Sequence, residues 1–131
     1  MKKVLFVCVE NSCRSQMAEA FAKIHGGNKL ESYSAGSRAS GKVNEKAIKS
    51  MQETGYDLGT HKSESLSDVP DIEYDFAITM GCGDECPHIR AKQRRDWAIQ
   101  DPKNMNQQEF NKVRDIIEEK ILSLIENQDL Q

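Results

Sequence analysis

No run of apolar residues in this chain approaches the roughly 18 that a membrane-spanning helix needs, so no membrane span is expected. No leader is expected either: Met1-Lys2-Lys3 runs straight into a short strand-like stretch with no cleavage-site pattern, and a cytoplasmic location is expected. Cysteine is scarce. Four residues in 131 fall well below the roughly 8–10% that marks a disulfide scaffold. In a cytosolic chain such thiols are more often catalytic, redox-active or metal-binding than structural. Charge of one sign is not in excess either. A formal net charge of -3 supports neither nucleic acid nor an anionic membrane surface as a partner. Internal repeats and low-complexity linkers are absent. What is left, with 37% hydrophobic and 30% charged residues, suits one globular domain spanning 1–131, expected to act as a monomer.

Hydrophobic periodicity organises that domain. Val4-Leu5-Phe6-Val7 is continuously apolar, as a strand covered on both faces should be. From Ser15 onward Met17, Ala20, Phe21 and Ile24 recur at helical spacing until Gly26-Gly27 supplies a stop. Leu30 to Ser34 alternates like a half-buried strand and ends at the turn signal Ala35-Gly36. Asn44 is a good N-cap for a second helix carrying Ala47, Ile48 and Met51, with Gly55 after it. Phe76 to Met80 reads as a third strand and Trp97-Ala98-Ile99 as a short fourth. In the last helix Asn106 caps, Glu109 completes a capping-box pattern and Met105 can staple to Phe110. Val113, Ile117, Ile121 and Leu124 then line one face. The stretches 36–42 and 60–73 read as polar loops. Strands alternating with helices imply a parallel α/β sheet of the doubly wound type, with ligands beyond the carboxyl ends of its strands.

Cys8 lies at such an end. The loop Cys8-Val9-Glu10-Asn11-Ser12-Cys13-Arg14 joins a strand to a helix, so its backbone N–H groups can converge on one point, and the helix dipole adds positive potential there. Residues Val9, Glu10, Asn11, Ser12 and Cys13 are the expected oxyanion cradle. Arg14 offers a planar fork of donors matched to a tetrahedral oxyanion, and its fixed charge favours the thiolate form of a neighbouring thiol. Cys8 is therefore the expected nucleophile, and the Ser15 hydroxyl can donate to its sulfur. A cysteine six positions before an arginine often occurs by chance; between a strand and a helix, with Asn11 and Ser15 alongside, the combination becomes specific. The loop lacks Gly-Lys-Ser/Thr, which excludes a nucleotide-binding P-loop.

VCVENSCRSQMAE resembles the signature loop of the low-molecular-weight protein tyrosine phosphatase family, and Gln16-Met17-Ala18-Glu19 brings it closer to that family's arsenate reductase branch. Ser34-Ala35-Gly36, His61, Ser63 and Asp101-Pro102 follow in family order, so the resemblance covers nearly the whole chain. It implies a four-stranded parallel sheet flanked by helices, oxyanion binding by the loop from Cys8 to Arg14, and Asp101 as general acid. Alone, Asp101-Pro102 would read as a routine turn before a helix. In the reductase branch a potassium ion can bind beside the loop; the matching positions are Asn11, Glu19, Ser34 and Glu64, with Glu64 in place of a shorter Asp. On residue chemistry the expected work of Asn11 is holding the loop by side-chain hydrogen bonds. Cys13 is either a packing residue or a protective partner for Cys8. Glu10 stands where many relatives carry glycine, and its carboxylate opposes anion entry unless it points to solvent.

Two activities then compete: hydrolysis of phosphotyrosine or small aryl phosphates, and reduction of arsenate. The phosphatases usually place aromatic residues directly after Asp-Pro, whereas Lys103-Asn104 follows here. Met80-Gly81-Cys82-Gly83-Asp84-Glu85-Cys86-Pro87 also carries two cysteines that a hydrolase does not need. Reduction needs two electrons, which Cys8, Cys82 and Cys86 can supply by disulfide relay to an external thiol reductant, with thioredoxin the expected partner and no tightly bound cofactor. Phosphate and sulfate are expected competitors of arsenate. The Cys82-x-x-x-Cys86 spacing is tighter than the commonest reductase pattern and resembles a variant of that group. Zinc binding by Cys82, Cys86 and His88 lacks a second close ligand pair, and inert thiols would be more usual in a core. A non-turnover oxyanion or redox-sensing module would keep Cys8 and Arg14 without needing Asp101. The basic run from His88 to Arg95 reads as a solvated loop, or as one that steers anions.

Overall fold

A computed structural model describes residues 1–81 and 89–127. The expected relay cysteines Cys82 and Cys86, and His88 with them, lie outside the described residues. Four strands, β1 (Lys2–Cys8), β2 (Leu30–Gly36), β3 (Tyr74–Thr79) and β4 (Ala91–Asp96), form one sheet in the order β2-β1-β3-β4, every neighbouring pair parallel. Among the described residues three α-helices accompany them: α1 (Arg14–Gly26), α2 (Glu45–Gln52) and α3 (Gln107–Asn127). Among the described residues, no helix is long and apolar enough to cross a membrane.

The two-residue period of β1 divides its side chains between two cores. Val4 and Phe6 face the three helices, packing with Met17, Phe21, Met51, Phe110, Ile117 and Ile121. Leu5 and Val7 face the other way, onto Ala35, Tyr74 and Ala77, under a cover of Leu66, Val69 and Ile72. Among the described residues that second face is thus covered by the 3-10 turn Leu66–Asp68 and its neighbours, and the helices gather on the first. Being central and buried on both faces, β1 is the best-supported element of the sheet, and its carboxyl end is where the site is built.

The caps form as expected. Asn44 accepts the Lys46 N–H at 2.8 Å and Asn106 the Glu109 N–H at 2.9 Å. Val113, Ile117, Ile121 and Leu124 are all buried. Ile24 is not: at 42% exposure it departs from the apolar face expected of α1, because the helix is ending there and Gly27 turns the chain at φ +51°. The second helix stops at Gln52, short of Gly55.

The fourth strand is misplaced by periodicity. The structure puts it at Ala91–Asp96, inside the basic run read as a loop, and leaves Trp97-Ala98-Ile99 irregular. Ladder bonds hold this edge strand to β3 while most of its side chains stay in solvent. The apolar character of residues 97–99 has a different use: Ile99 is buried and the Trp97 ring lies 6.0 Å from that of Phe6, so this connection packs onto the core.

Candidate active site

The loop between β1 and α1 is held by its carbonyls. Those of Cys8, Val9, Glu10 and Ser12 accept the N–H groups of Ser37, Arg38, Ser40 and Asn44 at 2.8–3.2 Å, and those of Asn11 and Cys13 accept from Gln16 Nε2 and Met17 N. Six consecutive loop carbonyls are thus committed to N–H donors of the surrounding chain, as a loop that turns its amides toward an anion requires. Cys13, the N-cap of α1, makes no side-chain cap to the first helical N–H groups. Gly36 makes the arrangement possible: a Cβ there would come within 2.5 Å of the Val9 carbonyl oxygen.

Asn11 is the keystone. It is wholly buried and takes the left-handed conformation at φ +52°, which asparagine tolerates better than most residues. Its Oδ1 accepts the Glu64 N–H at 2.7 Å and Gln16 Nε2 at 2.8 Å, and its Nδ2 donates to Ser15 Oγ at 2.8 Å. Ser15 Oγ accepts from Asn11 and lies 2.8 Å from Cys8 Sγ, where its proton is available to a Cys8 thiolate. The expected roles of Asn11 and Ser15 thus join into one chain ending at the sulfur.

Arg14 is buried, and one arm of its fork is structural: Nη1 donates to the Met80 carbonyl and, at 2.8 Å, to that of Ile99. Nη2 lies 3.8 Å from Asp101 Oδ2. The half-exposed Asp101 carboxyl therefore meets Cys8, Cys13 and Arg14 around one pocket of about 260 Å³. Cys8 and Cys13 are both free thiols. Burial pushes the Cys13 thiol up to about 11 from its ordinary 9.0, which suits a packing residue rather than a second nucleophile. Glu10 does not point to solvent alone: its Oε2 pairs with Lys103 Nζ at 2.8 Å.

The polar groups at the four positions implied for potassium are already engaged with one another and with neighbouring N–H donors. Both lone-pair directions of Asn11 Oδ1 are taken by N–H donors. Ser34 Oγ donates to Glu19 Oε1 at 2.5 Å, and Lys23 Nζ already neutralises Glu19 Oε2 at 2.7 Å. Glu64 reaches the loop through its backbone, while burial, and secondarily Glu19, raises its carboxyl above the ordinary value.

Sequence reasoning placed His61 and Ser63 in family order but gave them no task. His61 Nδ1 sits 2.9 Å from Gln16 Oε1, which can only accept, so the proton is on Nδ1; Tyr56 O–H then donates to Nε2 at 2.5 Å. Burial lowers the His61 pKa despite Glu19 nearby, so the neutral ring is the one this network uses. Ser63 Oγ–H bonds the Glu10 carbonyl at 3.0 Å. Only polar residues without an evident task pointed to this buttress; no spacing ties His61 to Gln16, 45 positions away.

A family model described as low molecular weight phosphotyrosine protein phosphatase matches residues 3–131. A glutaredoxin arsenate reductase of Synechocystis sp. is 39% identical over 128 residues, 95% of this chain and 97% of the relative. A solved arsenate reductase in its phosphate-binding state superposes with a TM-score of 0.87 at 38% identity, over 96% of this chain and 98% of that one. A thioredoxin-dependent arsenate reductase of Corynebacterium glutamicum gives a TM-score of 0.79 at 29% identity, over 99% of this chain and 63% of that one.

Proposed function

Because the chain belongs to the low-molecular-weight phosphotyrosine protein phosphatase family, and its relatives of high coverage are named arsenate reductases, we propose that it reduces arsenate to arsenite by a thiol relay starting at Cys8. One observation carries the choice over hydrolysis. Residues Met80 and Gly81, which lead directly into Cys82, lie against the clamp of the nucleophile: Arg14 bonds the Met80 carbonyl, and a Cβ on Gly81 would stand 3.5 Å from Arg14 Nη1. A segment bearing two further thiols thus starts beside the pocket, and hydrolysis has no use for them.

The chemistry follows from what each group can do. The loop amides and Arg14 hold the oxyanion with its central atom facing Cys8 Sγ. The thiolate forms an S–As bond while an arsenic-bound hydroxyl takes the Asp101 proton and leaves as water. Cys82 then attacks Cys8 Sγ. The S–S bond forms, the S–As bond breaks with its electron pair passing to arsenic, and arsenite departs. Cys86 attacks Cys82, transferring the disulfide to Cys82 and Cys86 and releasing Cys8 as a thiol. The cycle needs a dithiol reductant from outside. We take this to be thioredoxin, while glutaredoxin, named for one relative, is the competing donor. No tightly bound cofactor is required, phosphate and sulfate compete for the loop, and the enzyme acts as a monomer in the reducing cytoplasm. Slow aryl phosphate hydrolysis is the second reading, favoured by the shared pair of Cys8 and Asp101 at one pocket.

The test is arsenate-dependent NADPH oxidation with thioredoxin and its reductase, repeated with glutaredoxin and glutathione, for the natural protein and for Cys82→Ser and Cys86→Ser. Turnover lost in both variants supports the relay. Aryl phosphate hydrolysis that survives both, with no arsenate turnover from any donor, would make the protein a phosphatase.

A further inference from the structure

Glu10 and Lys103 are distant in sequence, 93 positions apart, yet they pair with each other and both line the oxyanion pocket. Each is anchored. The Glu10 carbonyl is fixed by Ser40 N–H at 2.9 Å and Ser63 Oγ at 3.0 Å. The Lys103 turn is fixed from α2, whose Lys46 Nζ donates to the Met105 carbonyl at 2.6 Å, and by Lys103 N–H, which donates to Asp101 Oδ1 at 3.0 Å. The Glu10 and Lys103 side chains meet at 2.8 Å, both partly exposed.

Their position gives the pair a consequence. The 260 Å³ pocket holding Cys8, Arg14 and Asp101 is lined by Glu10 and Lys103, and so is an adjoining cleft of about 450 Å³ whose other walls include Lys42, Asn44 and Lys46. The ion pair, with Ser12, is common to the linings of both spaces. We propose that it is a partition that sets substrate size. Closed, it leaves room for a bare tetrahedral oxyanion; a phosphomonoester must break it to seat its organic group in the cleft. Glu10 and Lys103 would then be specificity-determining residues. They replace an aromatic wall after Asp101-Pro102 with a charged one that offers nothing to an aryl ring. The inference rests on the loop as an oxyanion site, as proposed above, but not on the redox relay.

The experiment compares kcat/KM for 4-nitrophenyl phosphate with kcat/KM for arsenate in the natural protein, Lys103→Ala, Glu10→Ala and the charge-swapped Glu10→Lys/Lys103→Glu. An exposed pair is weak, so a modest effect is expected: each single variant raises the aryl-to-arsenate ratio by about threefold or more, mainly through a lower aryl phosphate KM, and the swap returns it toward the natural value. Salt at about 1 M, which screens the pair, should raise the ratio in the natural protein and not in Lys103→Ala. A ratio changed less than about threefold in both single variants, or left raised by the swap, overturns the partition. Should the natural protein reduce no arsenate, the redox reading fails by itself, and the partition is judged by the same ratio with the Ki of inorganic phosphate in place of arsenate turnover. Far-UV circular dichroism establishes that each variant is folded, and the salt series on the natural protein tests the partition without any substitution.

Discussion

Replacing Asn11 separates the two reasons for its presence. In Asn11→Gly the left-handed backbone at φ +52° is retained without strain, and only the side chain's hydrogen bonds are lost. Three are at stake, to Glu64 N, Gln16 Nε2 and Ser15 Oγ, all at 2.7–2.8 Å and all in a buried setting. At about 1 kcal/mol each the loss is about 3 kcal/mol. Asn11→Ala loses the same bonds and must also place a Cβ in the left-handed region, a further 1–2 kcal/mol, roughly half of it offset by the smaller chain entropy that alanine gives up on folding. The alanine variant should therefore be less stable than the glycine variant by about 1 kcal/mol. Urea unfolding followed by far-UV circular dichroism measures both, the midpoint shifting at constant slope. Both variants lying within about 1 kcal/mol of the natural protein, or alanine proving the more stable, would refute the keystone role of Asn11.

Three further outcomes follow from the same geometry. Ser15→Ala removes a hydrogen bond to a sulfur that carries charge in the reaction, a loss of about 1.5–3 kcal/mol, so turnover should fall roughly 10- to 150-fold with little change in fold; a loss under about threefold in single-turnover arsenate reduction would count against it. Cys13 deprotonates near 9.0 when unfolded but at about 11 when buried, so its contribution is complete below pH 9 and is lost as the pH climbs toward 11, by about 1.4 kcal/mol per pH unit. Cys13→Ala should flatten the fall in stability between pH 9 and 10, and an unchanged slope would contradict the assignment. The His61 pKa is lowered by burial from 6.5, so the unfolded chain takes up its proton first, and stability should decline as the pH drops below about 6.5; His61→Gln should remove that part of the decline in a pH series of urea midpoints.

The parts of the site that are local in sequence were the legible ones. Cys8, Arg14 and Ser15 fall within one strand-to-helix loop, and the strand before it announces itself by burying four apolar residues in a row. The last helix carries its own cap and apolar stripe, so it too could be placed without the rest of the molecule. β4 could not. Its sequence AKQRRD holds four charged residues because an edge strand needs only its backbone for the ladder, and the Arg95 guanidinium 5.1 Å from the Phe76 ring is a contact that periodicity cannot reveal. Trp97 and Ile99 misled in the opposite sense, being apolar to pack a connection rather than to pair a strand. The tasks of His61, Gln16 and Lys103 escaped because their partners are brought to them by topology: β1, an inner strand of the sheet, collects support from segments near 16, 61 and 103 whose contacts no spacing reveals.

The central claim is that the electrons reaching arsenic come from Cys8 and Cys82. Fully reduced Cys86→Ser protein, given arsenate with no reductant and digested under non-reducing conditions, should yield a stoichiometric disulfide between Cys8 and Cys82 together with an equal amount of arsenite. Arsenate recovered unreduced with Cys8 and Cys82 still free, or arsenite formed while a different pair is linked, would contradict the account.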